Sequence, residues 1–116
     1  MAFEPLNRLI RATSLSLIGL REAYRSEPAF RIELLVLLLV IPVAWLSTKV
    51  NVERALLIGS WMLVVVVEMI NSAIETVVDR IGKEHHELSR KDLGSAAVFC
   101  SIVLSATVWL LVLFPG

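Results

Sequence analysis

Three apolar stretches separated by polar segments set the pattern of the 116-residue chain. The first contains an uninterrupted apolar run over residues 34–46, and the third, residues 94–114, carries no charge at all. Between them, a helical pattern continues from about Arg54 to Arg80. A hydrocarbon core about 30 Å thick requires roughly 20 helical residues, so we predict transmembrane helices at about 32–47, 54–78 and 94–114. The first is short, and Pro42 is expected to kink it.

The N-terminal segment has an amphipathic pattern instead. Mostly apolar residues share one face of this helix, and most of the charged residues lie on other faces. The residues on the shared face are Leu6, Leu9, Ile10, Thr13, Leu17, Leu20 and Tyr24. We therefore predict a helix at about 6–25 that lies on the membrane surface, with a disordered basic tail as the alternative. The whole chain, 1–116, is predicted to be one all-α integral-membrane domain.

A polar stripe interrupts the second span. At about 100° per residue, Glu68, Asn71, Ser72, Glu75 and Asp79 fall on one side of a helix whose other positions are mostly apolar. A carboxylate within a membrane-spanning helix costs several kcal/mol and is rare without a function. The stripe therefore predicts a buried polar site that the second helix shares with its neighbours.

Composition and charge support a membrane protein and predict its orientation. The chain is 57% apolar with a mean hydropathy of +0.78, and its formal net charge of zero gives no reason to expect nucleic-acid binding. Three spans place nine basic residues on one side and only Lys49 and Arg54 on the other, which predicts a cytoplasmic N-terminus. The nine are Arg8, Arg11, Arg21, Arg25, Arg31, Arg80, Lys83, Arg90 and Lys91.

Acids, bases and an amide are predicted to meet at the cytoplasmic end of the spans. Zinc fits poorly, because His85 and His86 are adjacent, point in different directions on any regular element and have no cysteine nearby. Magnesium fits better, since it prefers one or two carboxylates together with substrate phosphates, and Glu27 and Glu75 are candidates for such a pair.

Two further roles, and one plainer alternative, remain for this cluster. Lys91 and Arg8 could hold phosphate oxygens, while Glu68, deeper and partly desolvated, could act as a general base. Alternatively, the carboxylates only join the helices, through hydrogen bonds to Ser, Asn or Arg side chains of neighbouring helices.

Several segments resemble one known family. Residues 68–82 (EMINSAIETVVDRIG), 86–89 (HELS) and 91–98 (KDLGSAAV) are similar to the prokaryotic integral-membrane diacylglycerol kinases. The similarity extends upstream through residues 8–12 (RLIRA), 19–21 (GLR) and 27–33 (EPAFRIE). It covers nearly the whole chain, and the Glu-x-x-Asn-x-x-x-Glu core followed by Asp-Arg-Ile-Gly is highly specific.

The resemblance implies a homotrimer of three-span subunits with a surface helix, whose active sites are shared between neighbouring subunits and use ATP with Mg²⁺. By the same resemblance, Glu68 is the catalytic base, Asn71 supports the reacting groups, and Glu27 and Glu75 hold the metal. Implied ATP-binding residues are Arg8, Glu27, Glu75, Glu84, His85, His86, Lys91 and Asp92. Implied lipid-binding residues are Arg8, Ala29, Phe30, Arg31, Glu33, Glu68 and Ser95.

We therefore predict a multi-pass lipid kinase of the bacterial inner membrane, which transfers the γ-phosphate of ATP to diacylglycerol and so forms phosphatidate. The nearest alternative is an undecaprenol kinase of the same fold, although segments 79–82 and 94–97 favour the diacylglycerol branch. An alternative of another class is a small proton-coupled transporter subunit with Glu68 as its proton carrier. That function would not require His86, Lys91 or Asp92.

Overall fold

The computed structural model describes residues 3–81 and 91–116, and this part of the chain folds into four α-helices. They are α1 (Glu4–Ser26), α2 (Pro28–Ser47), α3 (Asn51–Ile81) and α4 (Lys91–Leu113). The all-α prediction is confirmed. Helix α3 packs against both α2 and α4, whereas α1 contacts mainly α2, so α3 is the central helix of the subunit.

Three of these helices can cross a membrane. Helix α2, helix α3 and residues Asp92–Leu113 of α4 are each long and apolar enough to do so, and they correspond to the three predicted spans. Helix α2 starts at Pro28, before the predicted start of the first span, and continues through Pro42 to Ser47. Helix α1 differs from the other three helices in its burial, since none of its residues is buried within the chain.

A sharp corner joins α1 to α2. Glu27 is extended, and Pro28 opens α2 at a position where its missing N–H is not needed. The guanidinium of Arg31 reaches back across the corner: its Nε donates to the Tyr24 carbonyl oxygen at 3.0 Å and its Nη2 to that of Arg25 at 3.2 Å. The same group lies 5.7 Å from the centre of the Tyr24 ring. Arg31 thus satisfies carbonyls at the end of α1 and ties α1 to α2.

A second arginine plays the same part at the opposite end of α2. Arg54 donates to the carbonyl oxygens of Thr48 at 2.9 Å and Trp45 at 3.0 Å, and to Asn51 Oδ1 at 3.2 Å. Its guanidinium lies 3.8 Å from the Trp45 ring centre, close enough for a cation–π interaction. This residue therefore links the end of α2 to the start of α3.

Apolar packing joins α2 to α3. Phe30, Leu37 and Val65 form a buried cluster between the two helices. Beside it, Trp61 Nε1 donates a hydrogen bond of 2.9 Å to the backbone oxygen of Glu33. This bond fixes the register of α3 against the first turns of α2, where the predicted site residues lie.

Contacts between small side chains and interhelical hydrogen bonds join α3 to α4. The hydroxyls of Ser60 and Ser105 are 3.0 Å apart, and Ser105 is almost fully buried. Trp109 Nε1 donates to the Leu57 carbonyl oxygen at 3.1 Å. Small side chains let two helix backbones approach closely, and interhelical hydrogen bonds of this kind are characteristic of membrane-helix packing.

Candidate active site

A cavity of about 340 Å³ lies where the first turns of α2 and α4 meet the second half of α3. It is lined by Glu27, Pro28, Ala29, Glu33, Glu68, Asn71, Glu75, Ser95 and Val98. Four carboxylates and one amide thus converge on a space between helices that can cross a membrane.

The α3 stripe contributes the most deeply placed of these groups. Glu68 is 7% exposed and Asn71 is 6% exposed, and helical periodicity brings Glu75 onto the same side. Asn71 Nδ2 donates a hydrogen bond of 3.2 Å to Glu75 Oε1. Asp79, at the far end of the predicted stripe, is exposed, so the buried part of the stripe spans two turns.

Two buried oxygen atoms beside this cavity lack hydrogen-bond partners among the described residues. They are Asn71 Oδ1 and Glu33 Oε2. Buried polar atoms are nearly always hydrogen-bonded in folded proteins, so an unsatisfied acceptor in a cavity wall is suited to a ligand that brings a donor or a cation.

A second, larger cavity of about 530 Å³ lies between α1 and α3. Its lining is Ser16, Gly19, Leu20, Glu22, Ala23, Ser26, Glu27, Met69, Ser72, Ala73 and Thr76. Glu27 lines both cavities, so the two spaces adjoin at this residue. Ser72 faces the larger cavity, which separates it from the other polar residues of the stripe.

The donor atoms of the smaller cavity suit a hard cation held jointly with a ligand. Within residues 3–81 and 91–116, no group of three or more His, Cys, Asp and Glu side chains is close enough to hold a metal by itself. Magnesium does not require such a group, since it is usually bound by one or two carboxylates plus substrate phosphates. Glu27 and Glu75, which line this cavity together, fit that arrangement.

Comparison with known proteins assigns the family. A sequence profile described as prokaryotic diacylglycerol kinase matches residues 14–113, which is most of the chain. The chain belongs to the prokaryotic diacylglycerol kinase family.

Individual relatives in this family are similar over nearly their whole length. The diacylglycerol kinase of Escherichia coli (strain K12) is 50% identical over 110 residues, covering 92% of this chain and 89% of its own. That of Haemophilus influenzae is 45% identical over 111 residues, or 94% of each chain. That of Pseudomonas aeruginosa is 44% identical over 110 residues, covering 93% and 89%.

Seven of the residues that the family resemblance implicates line the smaller cavity. They are Glu27, Ala29, Glu33, Glu68, Asn71, Glu75 and Ser95. Six of these residues lie on helices α2, α3 and α4, and Glu27 lies at the junction of α1 and α2. Glu84, His85 and His86 lie outside the described residues, and for Lys91 the structure describes only the helical backbone.

The other implicated residues lie elsewhere in the chain. Phe30 is fully buried in the packing between α2 and α3, and the Arg31 guanidinium is engaged with the end of α1. The side chain of Arg8 is 78% exposed on α1, where it lies 3.8 Å from Glu4, and it lines neither cavity. Asp92 is an exposed residue in the first turn of α4.

Sequence reasoning missed the larger cavity and one close contact. Ser16, Gly19 and Ser26 line that cavity on α1, and their spacing along one helical face was the available signal. Gly94 lies directly against Asn71, and its place in the small-residue segment 94–97 indicated only close helix packing.

Proposed function

We propose that this chain is an ATP-dependent diacylglycerol kinase, which transfers the γ-phosphate of ATP to the free hydroxyl of diacylglycerol and forms phosphatidate. The supporting observation is the cavity in which Glu27, Glu68, Asn71 and Glu75 meet between membrane-spanning helices of a member of this family. As an integral-membrane protein it would act in the bacterial inner membrane, with the N-terminus and the site facing the cytoplasm, as the distribution of Lys and Arg predicts.

The depth of Glu68 supports a lipid alcohol as the phosphate acceptor. Helix α3 has 31 residues and is therefore about 46 Å long, more than the roughly 30 Å of hydrocarbon. Glu68 lies about 20 Å from the cytoplasmic end of this helix at Ile81. A lipid whose acyl chains stay in the bilayer presents its hydroxyl near this level, whereas ATP arrives from the cytosol.

The proposed chemistry assigns each buried group a separate task. As the acceptor hydroxyl attacks the γ-phosphorus, its proton passes to a carboxylate oxygen of Glu68, and the bond from phosphorus to the bridging oxygen of ADP breaks. Glu27 and Glu75 would hold Mg²⁺, which when bound neutralises charge on the phosphates. Asn71 holds the carboxylate of Glu75 in place through its amide hydrogen bond.

The two cavities adjoin at Glu27, which supports neighbouring binding sites for the two substrates. The larger cavity between α1 and α3 has the size and hydroxyl-bearing lining to take part of a nucleotide, and Glu27 connects it to the carboxylates. We propose that ATP lies there, with further contacts from Arg8, Glu84, His85, His86, Lys91 and Asp92. The lipid headgroup would then occupy the smaller cavity, beside Ala29, Glu33 and Ser95.

We further propose a homotrimer with shared active sites. Large apolar side chains are exposed along α2 and α4 of the single chain, among them Leu38, Leu39, Leu110 and Leu111, and such surfaces are available for lipid or for another subunit. Arg8, which the resemblance implies as an ATP ligand, lines neither cavity of its own chain, so a neighbouring subunit is expected to complete each site. The amphipathic α1 would lie on the cytoplasmic surface of this assembly.

Phosphate transfer to defined lipids tests the proposed function. The purified full chain, in detergent micelles, is supplied with Mg²⁺, γ-labelled ATP and either diacylglycerol or undecaprenol, and the Glu68→Gln variant is the blank. We expect label in phosphatidate. Preferential labelling of undecaprenol would assign the alternative lipid kinase activity, and no labelling of either alcohol would contradict a lipid kinase and favour the transporter.

A further inference from the structure

Gly94, in the first turn of α4, lies in direct contact with the side chain of Asn71 on α3. A Cβ atom added at Gly94 would overlap Asn71 Oδ1 and would lie only 2.9 Å from Asn71 Cγ. Side-chain carbons do not approach other atoms this closely, so an alanine at position 94 requires a rearrangement. The same addition at Gly19 or Gly59 meets nothing within 4 Å.

Asn71 has little freedom to make room. Its side chain is 6% exposed, and its Nδ2 is held by the hydrogen bond to Glu75. Because that nitrogen faces Glu75, the amide oxygen is the atom that faces Gly94. Rotation of the amide would break the bond to Glu75, and displacement of α4 would open the wall of the cavity at Ser95.

We propose that Gly94 is a positioning residue for phosphoryl transfer, which acts through Asn71. Its missing side chain lets the α4 backbone hold the Asn71 amide in the single orientation that donates to Glu75. This role in catalysis rests on the proposed function, because the orientation of Asn71 affects catalysis through Glu75, the proposed magnesium ligand. The contact itself does not depend on that function.

A double-mutant cycle tests this contact without requiring turnover. The added Cβ would lie 3.8 Å from Asn71 Cβ, an ordinary van der Waals distance, so an alanine at 94 fits once Asn71 is also alanine. We expect Gly94→Ala to lower the thermal unfolding midpoint of the full chain by several degrees, but to have no such effect in the Asn71→Ala background. An equal loss in both backgrounds would overturn the proposal, since sites that do not interact behave additively.

Gly59→Ala is the matched control for this cycle. It places the same methyl group on a helix glycine with open space around it, and alanine is the better helix former. We expect an unchanged or slightly raised midpoint and normal turnover. A loss like that of Gly94→Ala would show that any added methyl is harmful, and would contradict a specific role for Gly94.

Kinetics then separate positioning from a general loss of structure. Gly94→Ala should lower kcat by about 100-fold, the scale expected for small misplacements in an active site, and raise the Mg²⁺ concentration for half-maximal activity. An unchanged magnesium requirement would overturn the action through Glu75. Failure of the wild-type chain to phosphorylate diacylglycerol would refute the proposed function instead, and the unfolding cycle would still decide whether Gly94 and Asn71 are coupled.

Discussion

Asn71 and Glu75 are joined by a hydrogen bond of 3.2 Å between Nδ2 and Oε1, one turn apart on the same helix. The bond links a residue that is almost fully buried to one that is half-buried nearer the C-terminal end of α3. It holds one carboxylate oxygen of Glu75 in place in the wall of the smaller cavity. Both residues lie on one face of α3 and line the smaller cavity, so this pair is at the centre of the proposed site.

Glu75→Gln tests the metal assignment. The glutamine side-chain oxygen still accepts the bond from Asn71, so the fold should persist, while the charge needed to bind magnesium is lost. We expect turnover to fall by at least about 100-fold. Mutating a residue that only hydrogen-bonds to a metal ligand commonly lowers metal affinity or activity by about 10–100-fold, and removing the ligand itself should cost at least as much. Magnesium titrations of purified wild type and variant provide the measurement.

Glu53→Gln is its control, because Glu53 lies on the same helix but at the opposite end, where its carboxylate accepts from Thr48. This variant should retain normal turnover and magnesium dependence. Normal turnover and unchanged magnesium dependence in Glu75→Gln would refute the metal assignment.

Glu68→Gln tests the general base. Glutamine preserves size and hydrogen bonding but cannot accept the proton of the acceptor hydroxyl. Turnover should therefore fall by about 10²–10⁴-fold, the usual contribution of a general base, whereas the apparent affinity for MgATP should change little. Steady-state kinetics with both substrates varied give the answer. Unchanged kcat with a raised KM for the lipid would mean that Glu68 only positions the hydroxyl.

Mixed trimers test whether active sites are shared. Glu27 and Glu68 line one cavity within a single chain, whereas the exposed Arg8 side chain lines neither cavity and is the better candidate for completing a neighbour's site. Subunits carrying Arg8→Ala should therefore restore activity when mixed with subunits carrying Glu68→Gln. Mixing Glu27→Gln with Glu68→Gln is the comparison and should give little recovery. Absence of recovery in verified Arg8→Ala and Glu68→Gln mixtures would argue against sharing through Arg8.

Arg31→Ala tests the corner between α1 and α2. It removes two hydrogen bonds to the end of α1, which forms one wall of the larger cavity. The free energy of unfolding should therefore fall and the KM for ATP should rise. Arg54→Ala removes two similar hydrogen bonds to carbonyl oxygens at the other end of α2, and one to Asn51, and is the matched control. Each should lower the free energy of unfolding by about 1–2 kcal/mol, but only Arg31→Ala should raise the KM. Equal kinetic effects would mean that general destabilisation, not the corner, governs ATP binding.

The elements and the central stripe could be read from the sequence because both depend on local periodicity. Apolar runs of sufficient length predict spans, and residues three or four positions apart on a helix necessarily share a face. Glu68, Asn71 and Glu75 were therefore identifiable as one set before any helix was placed. Glu27 was paired with Glu75 only because both were expected at the same end of the spans, and Ser95 was suggested only by resemblance, because nothing local relates either residue to α3.

Tertiary structure decided which of the suggested residues face a shared cavity and which serve the fold. Phe30 and Arg31 lie between Glu27 and Glu33 in the sequence, yet one fills the packing between α2 and α3 and the other closes the end of α1. The direction of each side chain depends on where the neighbouring helix lies, and that is set by contacts distant in sequence. Gly94 is the clearest case: its significance comes from an absent atom beside Asn71, and only the approach of two backbones reveals it.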